Sequence, residues 1–241
     1  MATTPAKTPA KQTVVLCSGG LRSLVALALV QQEPERQRVT LLRIDDGRPS
    51  RRRGADAAAR QAEALGIRQS VELSLPHIYA SPRGRGGAGT DHDPTDAPAP
   101  PLAADQVLLA AAAYARRLRA DRLIYPASYG LAGEALSRAT ERLLLVEQLA
   151  ATATPRAETG PEVAAERDGV PPPIETPLFD LSDQQVVELG GQLGVDFALS
   201  WSCLHDAPRP CQRCRACKRR KTAFDKAGIE DTLLHASASA A

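Results

Sequence analysis

Aromatic residues make up only 3% of the 241-residue chain, so Leu, Val and Ala must build its core. No run of about 18 uninterrupted apolar residues occurs, and no membrane span is expected. Opposite charges nearly cancel to a net +2, a field too weak to call for a nucleic-acid partner. Residues 1–12 are polar and lack the apolar stretch of a signal peptide, which leads to the expectation of a cytoplasmic protein. The ending Gly-Lys-Ser/Thr is missing from the glycine turn near the start, which excludes a Walker A loop. Cysteine is scarce too, with five in all. Four of them crowd into residues 203–217, a spacing that suits a metal better than a disulfide framework.

What is present alternates. Short apolar runs predict strands at residues 14–17, 39–44, 71–75 and 122–125. Helical patterns fall at 21–32, 55–65, 102–119, 134–150, 182–193 and about 215–226. Gly66 and Gly194 close two of them, and Ser182 with Gln185 forms a capping box. Strands alternating with helices predict an α/β fold with an open parallel sheet. The expected organisation is a disordered arm at 1–12, an α/β domain at 13–199, a metal-binding tail at 200–232 and a disordered end at 233–241. Gly-, Pro- and Asp-rich stretches at 81–101 and 151–173 are expected to be flexible.

The turn Ser18-Gly19-Gly20-Leu21-Arg22-Ser23 lies between the first strand and the first helix. Glycines allow the tight turn and leave no side chain in an anion's way. Amides opening the next helix can then face a phosphate, with Ser18 and Ser23 adding hydroxyls. The same residues also make ordinary tight turns. Cys17 reads as a buried strand-end residue rather than a nucleophile.

The later cysteines, Cys203, Cys211, Cys214 and Cys217, are spaced C-x7-C-x2-C-x2-C. Four thiolates suit tetrahedral Zn²⁺, leave no open position and so make a structural site. An iron–sulfur cluster accepts the same ligands. His205 reads as a spare neighbour. Seven cations surround the ligands: Arg209, Arg213, Arg215, Lys218, Arg219, Arg220 and Lys221. They offset the doubly negative metal–thiolate centre, or else contact a phosphate-bearing partner.

Together these motifs resemble the 7-cyano-7-deazaguanine synthases, the QueC/ExsB group of PP-loop ATP pyrophosphatases. Residues 18–23 align with the family's SGGLDS loop, and Thr176-Pro177-Leu178 and "LGGQLGVDFALSWSC" at 189–203 resemble its C-terminal part. The four later cysteines match its zinc ligands, and "KTAFDKAGIEDT" at 221–232 resembles its closing segment. The resemblance implies a PP-loop α/β domain with a zinc tail. It implies ATP-dependent activation of 7-carboxy-7-deazaguanine as an acyl-adenylate, which ammonia converts to the amide. A second activation gives the nitrile for queuosine-type nucleoside modification. ATP and Mg²⁺ serve the reaction, Zn²⁺ orders the tail, and family members often form homodimers.

The chain departs from that pattern around the nucleotide. Arg22 stands where the loop has its acid; a cation can hold phosphate but not Mg²⁺. The family's DYGQ-type segment reads Asp45-Asp46-Gly47-Arg48-Pro49. Asp45 or Asp46 either replaces the metal ligand or caps a turn. The arginine–asparagine segment before the long helix is replaced by "TDAPAPPLAAD". Ser128 and Tyr129, in the substrate-facing region, either face a base or lie on the surface. Two functions compete: an ATP-dependent synthase acting on a purine-like carboxylate, and an inactive or repurposed relative that binds a nucleotide, nucleobase or partner protein.

Overall fold

The computed structural model describes residues 10–34, 37–79, 99–130, 133–152 and 171–234. Five strands form one sheet in the order β3-β2-β1-β4-β5, all parallel: β1 Lys11–Leu16, β2 Gln37–Asp45, β3 Gln69–Ser74, β4 Arg122–Ile124 and β5 Ile174–Glu175. Helices α1 Leu21–Gln31, α2 Arg51–Ala64, α3 Ala103–Arg117, α4 Glu134–Thr152, α5 Asp183–Gln192 and α6 Arg215–Ala227 cover both faces.

Alternation along β1 explains the layers. Val15 and Cys17 point into a core shared with α1, α2, α5 and α6, whereas Val14 and Leu16 point into one shared with α3 and α4. Both faces are dry, so the central strands read as unbroken apolar runs. The chain winds outward from β1 to β3, then returns to add β4 on the other side of β1. That reversal opens a crevice at the carboxyl ends of β1 and β4, the usual ligand position in such sheets.

Several expected boundaries move. β1 begins at Lys11, inside the stretch expected as an arm; residues 1–9 lie outside those described. α2 begins at Arg51 rather than 55, because three arginines open it and hide its apolar periodicity. β5 has only two residues, too short for a periodic signal, and exists through pairing with β4. The expected flexible segments fall mainly at 80–98 and 153–170, outside the described residues. At the far end Leu233 is buried, so the expected disordered end cannot begin there; residues 235–241 lie outside the description. The tail is no separate body: Ala57 of α2 packs with Trp201, Cys203, Cys214 and Cys217 in one apolar cluster.

Candidate nucleotide site and metal centre

The glycine turn leaves β1 and enters α1 with Gly20 at the N-cap. No side chain caps the helix, and its first turn carries no acid, so its leading amides remain available to an anion. The loop's carbonyls are turned the other way. Gln61 Nε2, on a fully buried side chain of α2, donates to the Gly19 carbonyl at 3.0 Å and to the Leu199 carbonyl at 3.2 Å. Its Oε1 accepts from the Cys17 thiol at 3.3 Å. The Trp201 amide donates to the Gly19 carbonyl at 2.9 Å. Carbonyls satisfied inward and amides left outward make the anion-binding polarity of a nest. Gln61 carries no motif signal; only its burial identifies it.

Each expected loop residue has a distinct place. Gly19 has φ +75°, and a Cβ there would lie 2.1 Å from the Gly54 carbonyl oxygen. Ser18 is exposed, and its hydroxyl accepts from the Gly20 amide at 3.4 Å. Ser23 is a correction: its buried hydroxyl donates to the Gly20 carbonyl at 3.0 Å instead of facing a ligand. Leu21 packs partly into the core. Arg22 does not reach across the turn. Its Nη2 binds Asp183 Oδ1 at 2.7 Å, while Arg219 Nη2 binds the other oxygen at 2.8 Å. Burial pushes Cys17 up from its ordinary thiol value, in keeping with an inert strand-end residue.

The acids at the end of β2, Asp45 and Asp46, cap a turn. Asp45 Oδ1 accepts from the Gly47 amide at 3.0 Å. Asp46 is buried, accepts from the Arg48 amide at 3.3 Å and pairs with Arg48 Nε at 2.7 Å. Beyond β4, Ser128 is buried and its hydroxyl has no partner among the described residues. Tyr129 is half-exposed, packs edge-on against Phe179 at 5.0 Å and hydrogen-bonds with Tyr125. Burial pushes the Tyr125 phenol well up, and Tyr129 adds to it. Tyr125 also lies within electrostatic reach of Arg22 and Asp105, the latter paired with Arg142 of α4. The crevice is thus flanked by two tyrosines, a buried hydroxyl and committed ion pairs.

The four later cysteines converge, with all sulfurs within 4.8 Å of one another. A tetrahedron with metal–sulfur distances of about 2.3 Å has edges of about 3.8 Å, so the thiols fit one ion. Backbone N–H groups of His205 and Cys211 point at Cys203 Sγ, and that of Cys214 at Cys211 Sγ, at 3.3–3.5 Å. Burial opposes ionisation of Cys211, but the amides of Cys214 and Arg213 outweigh it and lower the thiol to about 6. This is a four-cysteine metal site, and His205 contributes its amide.

The basic tail divides. Arg220 is buried and forks onto both oxygens of Asp231 at 2.6 and 2.7 Å, so it is a structural strut. Arg219 and Lys221 pair with Asp183 and Asp225. Arg220 alone of the three is drawn into the fold; the Arg219 and Lys221 side chains stay 62% and 68% exposed. Among the described residues, no helix is long and apolar enough to cross a membrane.

A family model described as queuosine biosynthesis protein QueC matches residues 156–228. The chain is 31% identical over 241 residues to the 7-cyano-7-deazaguanine synthase of Saccharophagus degradans, covering 94% of this chain and 99% of that protein. It is 29% identical to the enzyme of that name from Methanothrix thermoacetophila, covering 91% and 96%. Its backbone also aligns with NMN synthetase from Francisella tularensis at 17% identity and a TM-score of 0.46, over 92% of this chain and 79% of that one. The chain belongs to the 7-cyano-7-deazaguanine synthase family, and with it to the ATP-dependent, ligase-type PP-loop proteins.

Proposed function

From membership of that family, we propose that the chain is an ATP-dependent synthase. Its substrate is 7-carboxy-7-deazaguanine or a related purine-like carboxylate, and ammonia is the nitrogen donor. The observation that carries the reading is the loop at residues 18–23, with carbonyls tied to Gln61 and Trp201 and the first turn of α1 uncapped. A carboxylate resists attack by ammonia until its oxygen becomes part of a good leaving group. Transfer of AMP from ATP to that oxygen releases pyrophosphate, and the loop amides stabilise the charge on the departing phosphates. Ammonia then attacks the carbonyl carbon and AMP leaves, giving the amide. A second adenylation, on the amide oxygen, followed by loss of AMP gives the nitrile.

In this reading Ser18, Gly19, Gly20 and the amides of Leu21, Arg22 and Ser23 hold phosphate. Ser128 and Tyr129 face the base, with the buried Ser128 hydroxyl as the free hydrogen-bonding group. Cys203, Cys211, Cys214 and Cys217 fit Zn²⁺, whose closed thiolate shell supplies structure rather than chemistry. The tail then anchors Trp201 against Gly19.

One observation favours a second reading. Arg22, where the family has an acid, is committed to Asp183. A relative that binds nucleotide without turning it over would have the same loop. Zinc-loaded protein incubated with Mg·ATP, ammonium and 7-carboxy-7-deazaguanine decides between them by mass spectrometry. AMP with amide or nitrile supports the synthase. Intact ATP and acid in a folded, metal-loaded protein moves the assignment to binding.

A further inference from the structure

The Mg²⁺ that the family implies meets residues that do not fit it. Mg²⁺ beside a nucleotide is normally held by one or two carboxylates together with phosphate oxygens. Three acids near this crevice are paired with arginines, and the fourth, Asp45, caps its own turn. Asp183 is bound by Arg22 and Arg219 at 2.7 and 2.8 Å. Asp46 is buried against Arg48, Asp45 accepts from Gly47, and Asp105 is held by Arg142.

Cations stand there instead. One carboxylate between Arg22 and Arg219 leaves that cluster net positive. α2 opens with Arg51, Arg52 and Arg53 and has no acid in its first turn. Arginines at the positive end of a helix repel its dipole, an arrangement that an anion would relieve. This turn lies directly on the loop: the Gly54 carbonyl occupies the space of a Gly19 side chain. The buried Arg43 reaches from β2 to the Arg51 carbonyl at 2.6 Å, fixing the turn in place. Arg53 sits 5.8 Å from the Trp201 ring centroid and pairs with Asp206 at 3.7 Å. The exposed side chains of Arg51 and Arg52 have no ion pair among the described residues. The Trp201 amide binds the loop at the Gly19 carbonyl, while its ring packs with Ala57 and the cysteines, where its buried indole N–H has no acceptor among the described residues.

We infer that this site takes a condensed phosphate chain without a divalent metal, its charge met by Arg51 and Arg52 beside the glycine loop. The inference rests on the reading of residues 18–23 as an ATP site, and the test separates the two. Full-length, zinc-loaded protein is titrated calorimetrically with ATP and, separately, with inorganic pyrophosphate. Each titration is run in resin-treated, divalent-free buffer and again with Mg²⁺, with zinc content measured in both. The expected result is a Kd without Mg²⁺ within about threefold of that with it, or tighter. ATP affinity that falls tenfold or more, on the order of 1.4 kcal/mol, when Mg²⁺ is withheld overturns the inference and leaves the ATP site standing. No binding of ATP under either condition, in folded zinc-loaded protein, sinks both. Binding of ATP but not pyrophosphate overturns the phosphate chain as the recognised group. The surface double variant Arg51→Ser/Arg52→Ser should keep its melting temperature and lose about tenfold in affinity for both ligands. Unchanged affinity removes the arginines from the site.

Discussion

Arg22 Nη2 and Asp183 Oδ1 lie 2.7 Å apart, joining the first turn of α1 to the first residue of α5. Arg219 of α6 holds the other oxygen, so three helices meet at one carboxylate. Burial favours the neutral acid, but Arg22 and then Arg219 outweigh it and hold Asp183 below the usual carboxylate range. Its folded pKa is depressed, so its contribution is present above the unfolded value of about 3.9 and is lost as pH falls through the folded one. Asp183→Asn should therefore cost roughly 1 kcal/mol at neutral pH, and the gap from wild type should close below about pH 4. Urea unfolding at a series of pH values checks this. A gap that persists in acid would show that the ion pair is not its source.

Arg22→Asp should give the crevice back an acid. With Asp183 beside it and only Arg219 left to pair, a Mg²⁺ ligand becomes available. ATP affinity in Mg²⁺ should rise by about threefold or more, and should now fall when Mg²⁺ is withheld. Calorimetry reads both. Unchanged or weaker binding in Mg²⁺ would count against this account of Arg22.

The two loop glycines should separate. Gly19→Ala would force a positive φ on alanine and drive its Cβ into the Gly54 carbonyl. Because the closest of these atoms belong to the Gly54 backbone, which cannot swing aside, a loss of about 3 kcal/mol is expected in thermal unfolding. Gly20 has φ −82°, and a Cβ there meets the Ser18 hydroxyl at 3.2 Å and the Trp201 carbonyl oxygen at an ordinary 3.8 Å. Gly20→Ala should melt within a few degrees of wild type yet bind ATP more weakly, by crowding the mouth of α1. A Gly20 variant with full affinity would place the anion elsewhere.

Trp201 offers a direct reading of the metal centre, because it is the only tryptophan in the chain and packs among Cys203, Cys214 and Cys217. Cys214→Ser should abolish stoichiometric zinc in elemental analysis. It should also shift the tryptophan emission to the red as the ring meets water. A chelator should do the same to wild type. Loss of zinc with unchanged emission would mean that the apolar cluster, rather than the ion, holds the tail.

Much of this molecule is local in origin and was legible as such. Apolar runs at β1, β2 and β4 predict buried strands because both sheet faces are covered. The capping box of Ser182 and Gln185 forms as expected, since it involves residues three apart. The cysteines converge because their close spacing leaves the chain little choice once a turn forms. What required the tertiary structure is polar and distant in sequence. Arg22 meets Asp183 across 161 positions, and Gln61 reaches the glycine turn across 42. Arg220, which sequence position groups with surface cations, is buried on Asp231. Periodicity records which side of an element is dry, but not which polar group waits on the neighbouring element. Burial removes water from these groups, and the partners that replace it are chosen by how the helices pack.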